Sequence, residues 1–286
     1  MRGPRSLRWL ALWLGPFRGT HHRRLRLVAM VSLVVLALVL LKLVVHGLGL
    51  ERISLNPLFS ALVAATVFLQ GFLLHGVLGD FKESEKLPPQ LAAVLESLAL
   101  EIAAVPQHHP AAEVSADVAA VLRLAYGLHT WLLGGLATPR VMALHREVHG
   151  SVVHAAVQLS SSTLQGRLMG HMGEVLLIIN RIEAIRRTTF VPLVYWLASI
   201  GTALLCGGLM ITRASTLHEA LFFLAVIAFN LIFLLRLIHD IDNPFSIADP
   251  NSIEFVSLQV LQDACCRIQT LLQSLPGRQH ASEPLS

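Results

Sequence analysis

Charge is scarce in this sequence. Of its 286 residues only 14% are Asp, Glu, Lys or Arg, where a soluble domain of this size carries about a quarter. Aromatics are scarce as well, at 6%, so the 54% hydrophobic content is mostly Leu, Val, Ile and Ala; mean hydropathy is +0.64. That combination argues against a soluble enzyme and for a membrane protein with a modest aqueous part. Cysteine is limited to Cys206 in an apolar run and the adjacent Cys265 and Cys266. Such spacing excludes a disulfide framework and a metal knuckle, and fits a reducing compartment for the aqueous part. A phosphate-cradling glycine loop, a nucleophile elbow and a recognisable Cys–His dyad are all missing. Strand-like alternation and internal repeats are missing too. These absences point away from catalysis and from a cofactor.

Acidic residues are absent from the first 26 positions, which hold seven arginines: Arg2, Arg5, Arg8, Arg18, Arg23, Arg24 and Arg26. The rest of the chain carries fifteen basic against eighteen acidic residues, so the net +4 is a property of the N-terminus. General nucleic-acid binding is therefore not implied.

What is present is long apolar runs. A membrane helix needs about 20 mostly apolar residues, and four segments qualify: Leu27–Leu48, Pro57–Leu78, Val191–Ile211 and Leu217–Ile238. They form two hairpins with very short connections. Lys/Arg bias near span ends sets orientation. The N-terminal arginines and Arg181, Arg186 and Arg187 before the third span belong in the cytoplasm, while the tight connections hold only Arg52 and Arg213. Both termini and the middle of the chain are then cytoplasmic. Trp9–Phe17 is too short and too broken by Gly15-Pro16 for a signal peptide, and reads as an interfacial helix; an organellar transit peptide is the alternative. The alanine, leucine and arginine richness is compatible with a bacterial inner (plasma) membrane.

The organisation expected is a basic tail or interfacial helix over 1–26, a transmembrane hairpin over 27–78, a cytoplasmic helical region over 79–190, a second hairpin over 191–238, and a cytoplasmic C-terminal segment over 239–286. Within 79–190, Leu91, Val94, Leu95, Leu98 and Ile102 share a face at helical spacing, started by Pro88-Pro89 and ended by Pro106 and Pro110. A second helix is expected over 111–136. A third runs from about 141 to 187, with breaks at Gly150, Gly166 or Gly173. Another amphipathic helix spans 252–275, with Ile253, Val256, Leu261, Cys265 and Ile268 on a face. The fold class is all-α.

Polar residues at membrane depth normally face a bundle interior or water. In the second span these are Gln70 and His75. Phe68, Phe72 and His75 fall at i, i+4 and i+7 on one stripe. That stripe fits ordinary helix packing or a constriction lined by phenylalanines around a symmetry axis, which gates by dewetting. One stripe cannot enclose a pore, so the second reading requires an oligomer. His145 and His149, at i and i+4, with His154 beyond, form the tightest histidine group. Arg146 stands where a metalloprotease helix needs glutamate, and a solvated helix face explains the three better. Asp240, Asp242, Asp249 and Glu254 are weak candidates for a hard cation; their spacing is not that of an EF-hand, and capping by Asp249 or Ser252 competes. A membrane enzyme would have only His75, Asp80 and Glu83 to draw on. Gly207-Gly208 inside the third span suits close helix contact.

Phe17-Arg18-Gly19-Thr20 before the first span, Glu85-Lys86-Leu87-Pro88 after the second, Asn180-Arg181-Ile182 before the third and Asp242-Asn243-Pro244-Phe245 after the fourth together resemble the junctions of the bestrophin family of ion channels. The first is similar to the family's arginine–glycine–serine entry. The second resembles its glutamate–x–leucine–proline after the pore helix. The third, followed by Val191-Pro192-Leu193-Val194-Tyr195, resembles its arginine, proline and tyrosine pattern. The fourth, with Asn251, resembles its acidic–proline–phenylalanine stretch. The four occur in the right order over residues 17–262. The resemblance implies a homopentameric channel for small inorganic ions in a lipid bilayer, chloride in the first instance. It places Phe68, Phe72 and His75 along an axial pore lined by the second span. A non-conducting membrane scaffold of the same fold is the alternative. Two departures stand out: Asp80-Phe81-Lys82 replaces the family's tryptophan-rich arginine segment, and the calcium-clasp aspartates of animal members shrink to Asp249 and Glu254.

Overall fold

The computed structural model describes residues 21–54, 57–187, 192–213, 216–242, 244–245 and 255–275. Trp9–Phe17, the entry at 17–20, Val191, Asn243, Asp249, Asn251, Ser252, Ile253 and Glu254 lie outside them. Among the described residues the chain is all-α, with nine helices and one minimal strand pair. The helices are α1 (His21–Gly47), α2 (Pro57–Ser84), α3 (Leu87–His108), α4 (Ser115–Leu132), α5 (Thr138–Val157), α6 (Ser162–Arg187), α7 (Pro192–Ile211), α8 (Leu217–Ile241) and α9 (Gln259–Ser274).

Four helices are long and apolar enough to cross a membrane: α1, α2, α7 and α8. Each corresponds to one expected span: α2 and α8 run past its far end, α1 starts earlier and stops one residue short of Leu48, and α7 matches its span from Pro192 to Ile211. The chain is thus an integral membrane protein. Contacts divide it into two units: described residues up to 77 and from 192 to 240, and those from 78 to 187 and from 241 onward.

In the first unit, Val31 and Val35 of α1, Cys206, Leu209 and Met210 of α7, and Leu224 and Ala228 of α8 pack together. The two short connections pair with each other. Strands β1 (Ile53–Ser54) and β2 (Thr212–Arg213) lie parallel, Ile53 opposite Thr212, and the Arg52 amide donates to the Ile211 carbonyl at 3.0 Å. No periodicity announces a two-residue pairing. Gly49, with φ +66°, ends α1 in a left-handed turn: its amide donates to His46 and that of Leu50 to Val45, satisfying carbonyls the helix leaves open.

The second unit buries α3–α6 and α9 around one apolar core. The expected stripe of α3 is there, with Leu91, Leu95, Leu98 and Ile102 buried. Pro106 does not end that helix, which continues to His108. The helix α4 is shorter than expected, Ser115–Leu132, and stops at Gly134, φ +80°. The Gly134 amide donates to Trp131 and the Gly135 amide to Thr130, a paired C-terminal cap.

The long third helix does break, but not at a glycine. Gly150, Gly166 and Gly173 remain helical, and the interruption falls at residues 158–161. Ser160, Ser161 and Ser162 supply hydroxyls that compete for the backbone. Gln165 Nε2 donates to the Leu159 carbonyl at 2.7 Å, while the Leu159 side chain is buried in the core. The C-terminal helix begins at Gln259 rather than 252; Val256 is buried ahead of it, its amide donating to the Pro244 carbonyl at 3.0 Å.

Candidate functional site

Helix α2 presents two unlike faces. Thr66, Gln70, Leu73 and Val77 are buried, spaced at i, i+4, i+7 and i+11. On the other side Leu58, Ala61, Ala65, Phe68, Phe72 and His75 are exposed, with Phe68 at 76% and Phe72 at 63%. Their separations alternate between three and four residues, a 3.5-residue period that keeps such a stripe facing one direction in a slightly supercoiled helix. Val67 and Gly71 widen the same face. The structure thus puts Phe68, Phe72 and His75 together on a surface that no other part of the described chain covers. Gln70, the other polar residue noted in this span, goes to the opposite side.

The buried face packs on α7 in antiparallel register. A Cβ added to Gly208 would meet the Phe59 ring at 3.0 Å, and one added to Gly201 would meet Thr66 at 3.5 Å. Phe59 and Thr66 are seven residues apart, as are Gly201 and Gly208, so small residues let the helices approach at two levels. Gly208 serves close contact as its position suggested, whereas Gly207 has open space around it. Between the two helices Gln70 Nε2 donates to Thr202 Oγ1 at 2.8 Å. The Thr202 hydroxyl donates to the Ala198 carbonyl at 2.8 Å.

A second polar cluster lies at the connection ends. Lys42 is completely buried (0% exposed). Its Nζ donates to the carbonyls of Met210 at 3.1 Å and Thr212 at 2.5 Å, and meets Glu51 Oε1 at 2.6 Å. All three ammonium protons have acceptors, which a charge shielded from water requires. The Met210 carbonyl belongs to the last turn of α7, where positive charge is favoured, and the Thr212 carbonyl follows in β2. His46 Nδ1 sits 3.2 Å from the other Glu51 oxygen. These donors, the Lys42 hydrogen bond first, hold the Glu51 carboxyl below its ordinary value against the opposing effect of burial. This cluster escapes a reading of the sequence alone, because Lys42 and Met210 are 168 residues apart; a lone lysine inside an apolar run is the one available signal.

Beyond the apolar run of α2, Arg181 of α6 grips Glu83 with Nε at 2.8 Å and Nη2 at 2.9 Å. The paired guanidinium pulls the Glu83 carboxyl down and is itself raised by it. Glu83 is therefore a structural ion-pair partner of Arg181. The three noted histidines diverge. His149 is exposed, and the exposed His154 places Nδ1 3.0 Å from Asp117 of α4. His145 corrects the solvated-face expectation: it is buried, with Nε2 3.2 Å from the Met172 carbonyl. A face defined by i, i+4 spacing is wide enough for one edge to touch the core. Asp240 lies in the last turn of α8 and Asp242 in the turn that follows it. Among the described residues no group of three His, Cys, Asp or Glu gathers as metal ligands. Burial pushes the Cys265 thiol up to about 11, which removes it as a nucleophile at neutral pH.

No protein-family model matches the chain, and no curated protein does. Solved structures do. A bacterial bestrophin homolog from Klebsiella pneumoniae is 14% identical, superposing with TM-score 0.67 over 88% of this chain and 99% of that one. The same homolog carrying a leucine-to-threonine substitution gives TM-score 0.64 at 15% identity, over 88% and 98%. A crystal structure described as a membrane protein with a glycine-to-alanine substitution gives 0.69 at 14% identity, over 87% and 100%. At such identity the likeness establishes the fold: this is a divergent chain with the fold of the bacterial bestrophin homologs.

Proposed function

We propose that this protein is a bestrophin-like ion channel, in which five copies arrange α2 around a common axis and conduct anions, chloride foremost. Phe68, Phe72 and His75 line the path in this reading. The observation that carries it is the division of α2: its inner face is closed against α7 by glycine contacts and a hydrogen bond, while its phenylalanine stripe is left to face something outside the protomer. Phenylalanines repeated around an axis make a hydrophobic neck that conducts only when wetted. Between Pro57 and Gly79 there is no acidic side chain, so this stretch sets no fixed negative charge against an anion. Ion flow down a gradient needs a lined passage and no nucleophile.

Both termini and the helices of residues 79–190 face the cytoplasm in this reading, following the arginine bias, and the membrane is a bacterial inner membrane. Native mass determination of the detergent-solubilised protein, followed by recording from it in bilayers, tests the proposal. Five chains per particle and a current that Phe72→Ala increases are expected. A monomer or dimer refutes the axial pore, and a pentamer silent in both forms leaves the non-conducting scaffold.

A further inference from the structure

Resting on the channel reading, we propose that Gln70 is a positioning residue: its hydrogen bond to Thr202 sets the rotation of α2 about its own axis and so holds the phenylalanine stripe on the exposed side.

Gln70 shares its face of α2 with the buried Leu73 and Val77 and with two glycine contacts to α7. Those contacts, at Gly201 and Gly208, are smooth, since a glycine offers no side chain to lock a neighbouring helix in rotation. Van der Waals contact along such a track resists separation more than turning. A hydrogen bond, by contrast, weakens steeply when its angle is lost. The Gln70 bond of 2.8 Å is buried and links α2 to α7 directly. Gln70 and Phe72 are two residues apart, about 200° around a helix, so fixing the first against α7 fixes the second away from it.

Stability alone does not account for glutamine here. Gln70 is 0% exposed, and its Oε1 has no hydrogen-bond partner among the described residues. The reason is visible: Thr66 gives its hydroxyl proton to the Leu62 carbonyl and Thr202 gives its own to Ala198. Neither threonine has a proton left for Gln70. A buried amide oxygen without a partner is unfavourable, and leucine would fill the same place without that cost. In some proteins a single buried polar residue fixes register at a cost to stability, and the Gln70 bond is assigned that role here.

The test reads orientation without using current. A Cβ at position 201 lies 3.5 Å from Thr66 Cγ2, close enough for Thr66→Cys with Gly201→Cys to form a disulfide. The effective concentration of that disulfide, measured by mass spectrometry against a glutathione redox buffer, reports the rotational setting of α2. The background carries Cys206→Ala, Cys265→Ala and Cys266→Ser. Adding Gln70→Leu is expected to lower the effective concentration roughly fivefold, the equilibrium factor of one net hydrogen bond, with no fall in thermal midpoint. Thr202→Ser, which keeps the hydroxyl, is expected to leave it unchanged. An unchanged value in Gln70→Leu, or a loss that Thr202→Ser reproduces, overturns the proposal. A silent wild type with a responsive disulfide refutes the channel and leaves the positioning role standing; a conducting wild type with an unresponsive one does the reverse.

Discussion

In the second unit, Leu95, Leu98, Leu124, Leu128, Trp131 and Ile179 are buried in a single core, and the charged residues pair at the surface. In the first unit Leu33, Leu36, Leu58, Phe68, Leu193, Trp196 and Leu204 point outward, while the buried positions include Lys42, Gln70 and Thr202. The difference follows from the surroundings. In water, burial of apolar area drives packing. In lipid that drive between helices is lost, so close approach and interhelical polar bonds take over. The first unit accordingly relies on glycines at Gly201 and Gly208 and on two polar links. The outward stripe of α2 carries phenylalanines and a histidine, where the outer face of α7 carries leucines and Trp196.

Truncation inside the second unit is the largest expected effect. Trp131 is fully buried; its Nε1 donates to Thr138 Oγ1 at 3.1 Å, and the Arg186 guanidinium lies 5.2 Å over the ring. Trp131→Ala is expected to cost about 3–5 kcal/mol by denaturant unfolding in detergent. Truncation of the exposed Phe72 is expected to alter conduction and leave unfolding nearly unchanged. Equal stability losses at both positions would show that Phe72 is held by packing as Trp131 is.

In the first unit the matching weak point is polar. Lys42→Met leaves the partly exposed Glu51 without its main partner, so the cost falls below the about 3–5 kcal/mol of leaving a fully buried charge unpaired. Adding Glu51→Gln should recover part of it, so the double variant unfolds at a higher midpoint than the two losses summed would give. Strict additivity would show that Lys42 and Glu51 act separately.

Close approach comes next. Gly208→Leu pushes a side chain into the Phe59 ring, and overpacking of this kind costs about 1–3 kcal/mol, read as a lower thermal midpoint. Gly207→Leu, with open space around it, is expected to be silent in the same assay.

Acid acts on both units. Glu51 and Glu83 have carboxyls held below their ordinary value near 4.5 by Lys42 and Arg181 respectively. Their stabilisation is fully present above that value and is lost as pH falls through the lower folded one. Thermal midpoints should be flat from neutral pH to about 4.5 and decline below it, with a shallower decline in Lys42→Met. The smallest effect is at the surface of the second unit. Arg267→Ala removes a two-bond pair with Glu96, and exposed pairs of this type contribute little, so its midpoint should stay at the wild-type value.

Runs of apolar residues made the four membrane helices readable, because a span is a property of one segment and its length. The core face of α3 was readable for the same reason. What escaped reading depends on segments meeting. The break after Val157 depends on serines and on Leu159 finding the core, not on the glycines nearby. His145 turns inward because Met172 lies opposite it. For the candidate site, the Phe68, Phe72 and His75 stripe is visible as spacing. Its exposure, and the removal of Gln70 to the other face, required α7 in place, since Gln70 and Thr202 are 132 residues apart.

In the proposed function, α2 lines an anion path. Current recorded from the purified protein in a planar bilayer with a KCl gradient tests it most directly, since the reversal potential reports which ion carries charge. A conductance reversing near the chloride equilibrium potential is predicted. A reversal near the potassium potential, or no current in either wild type or Phe72→Ala, would contradict the account.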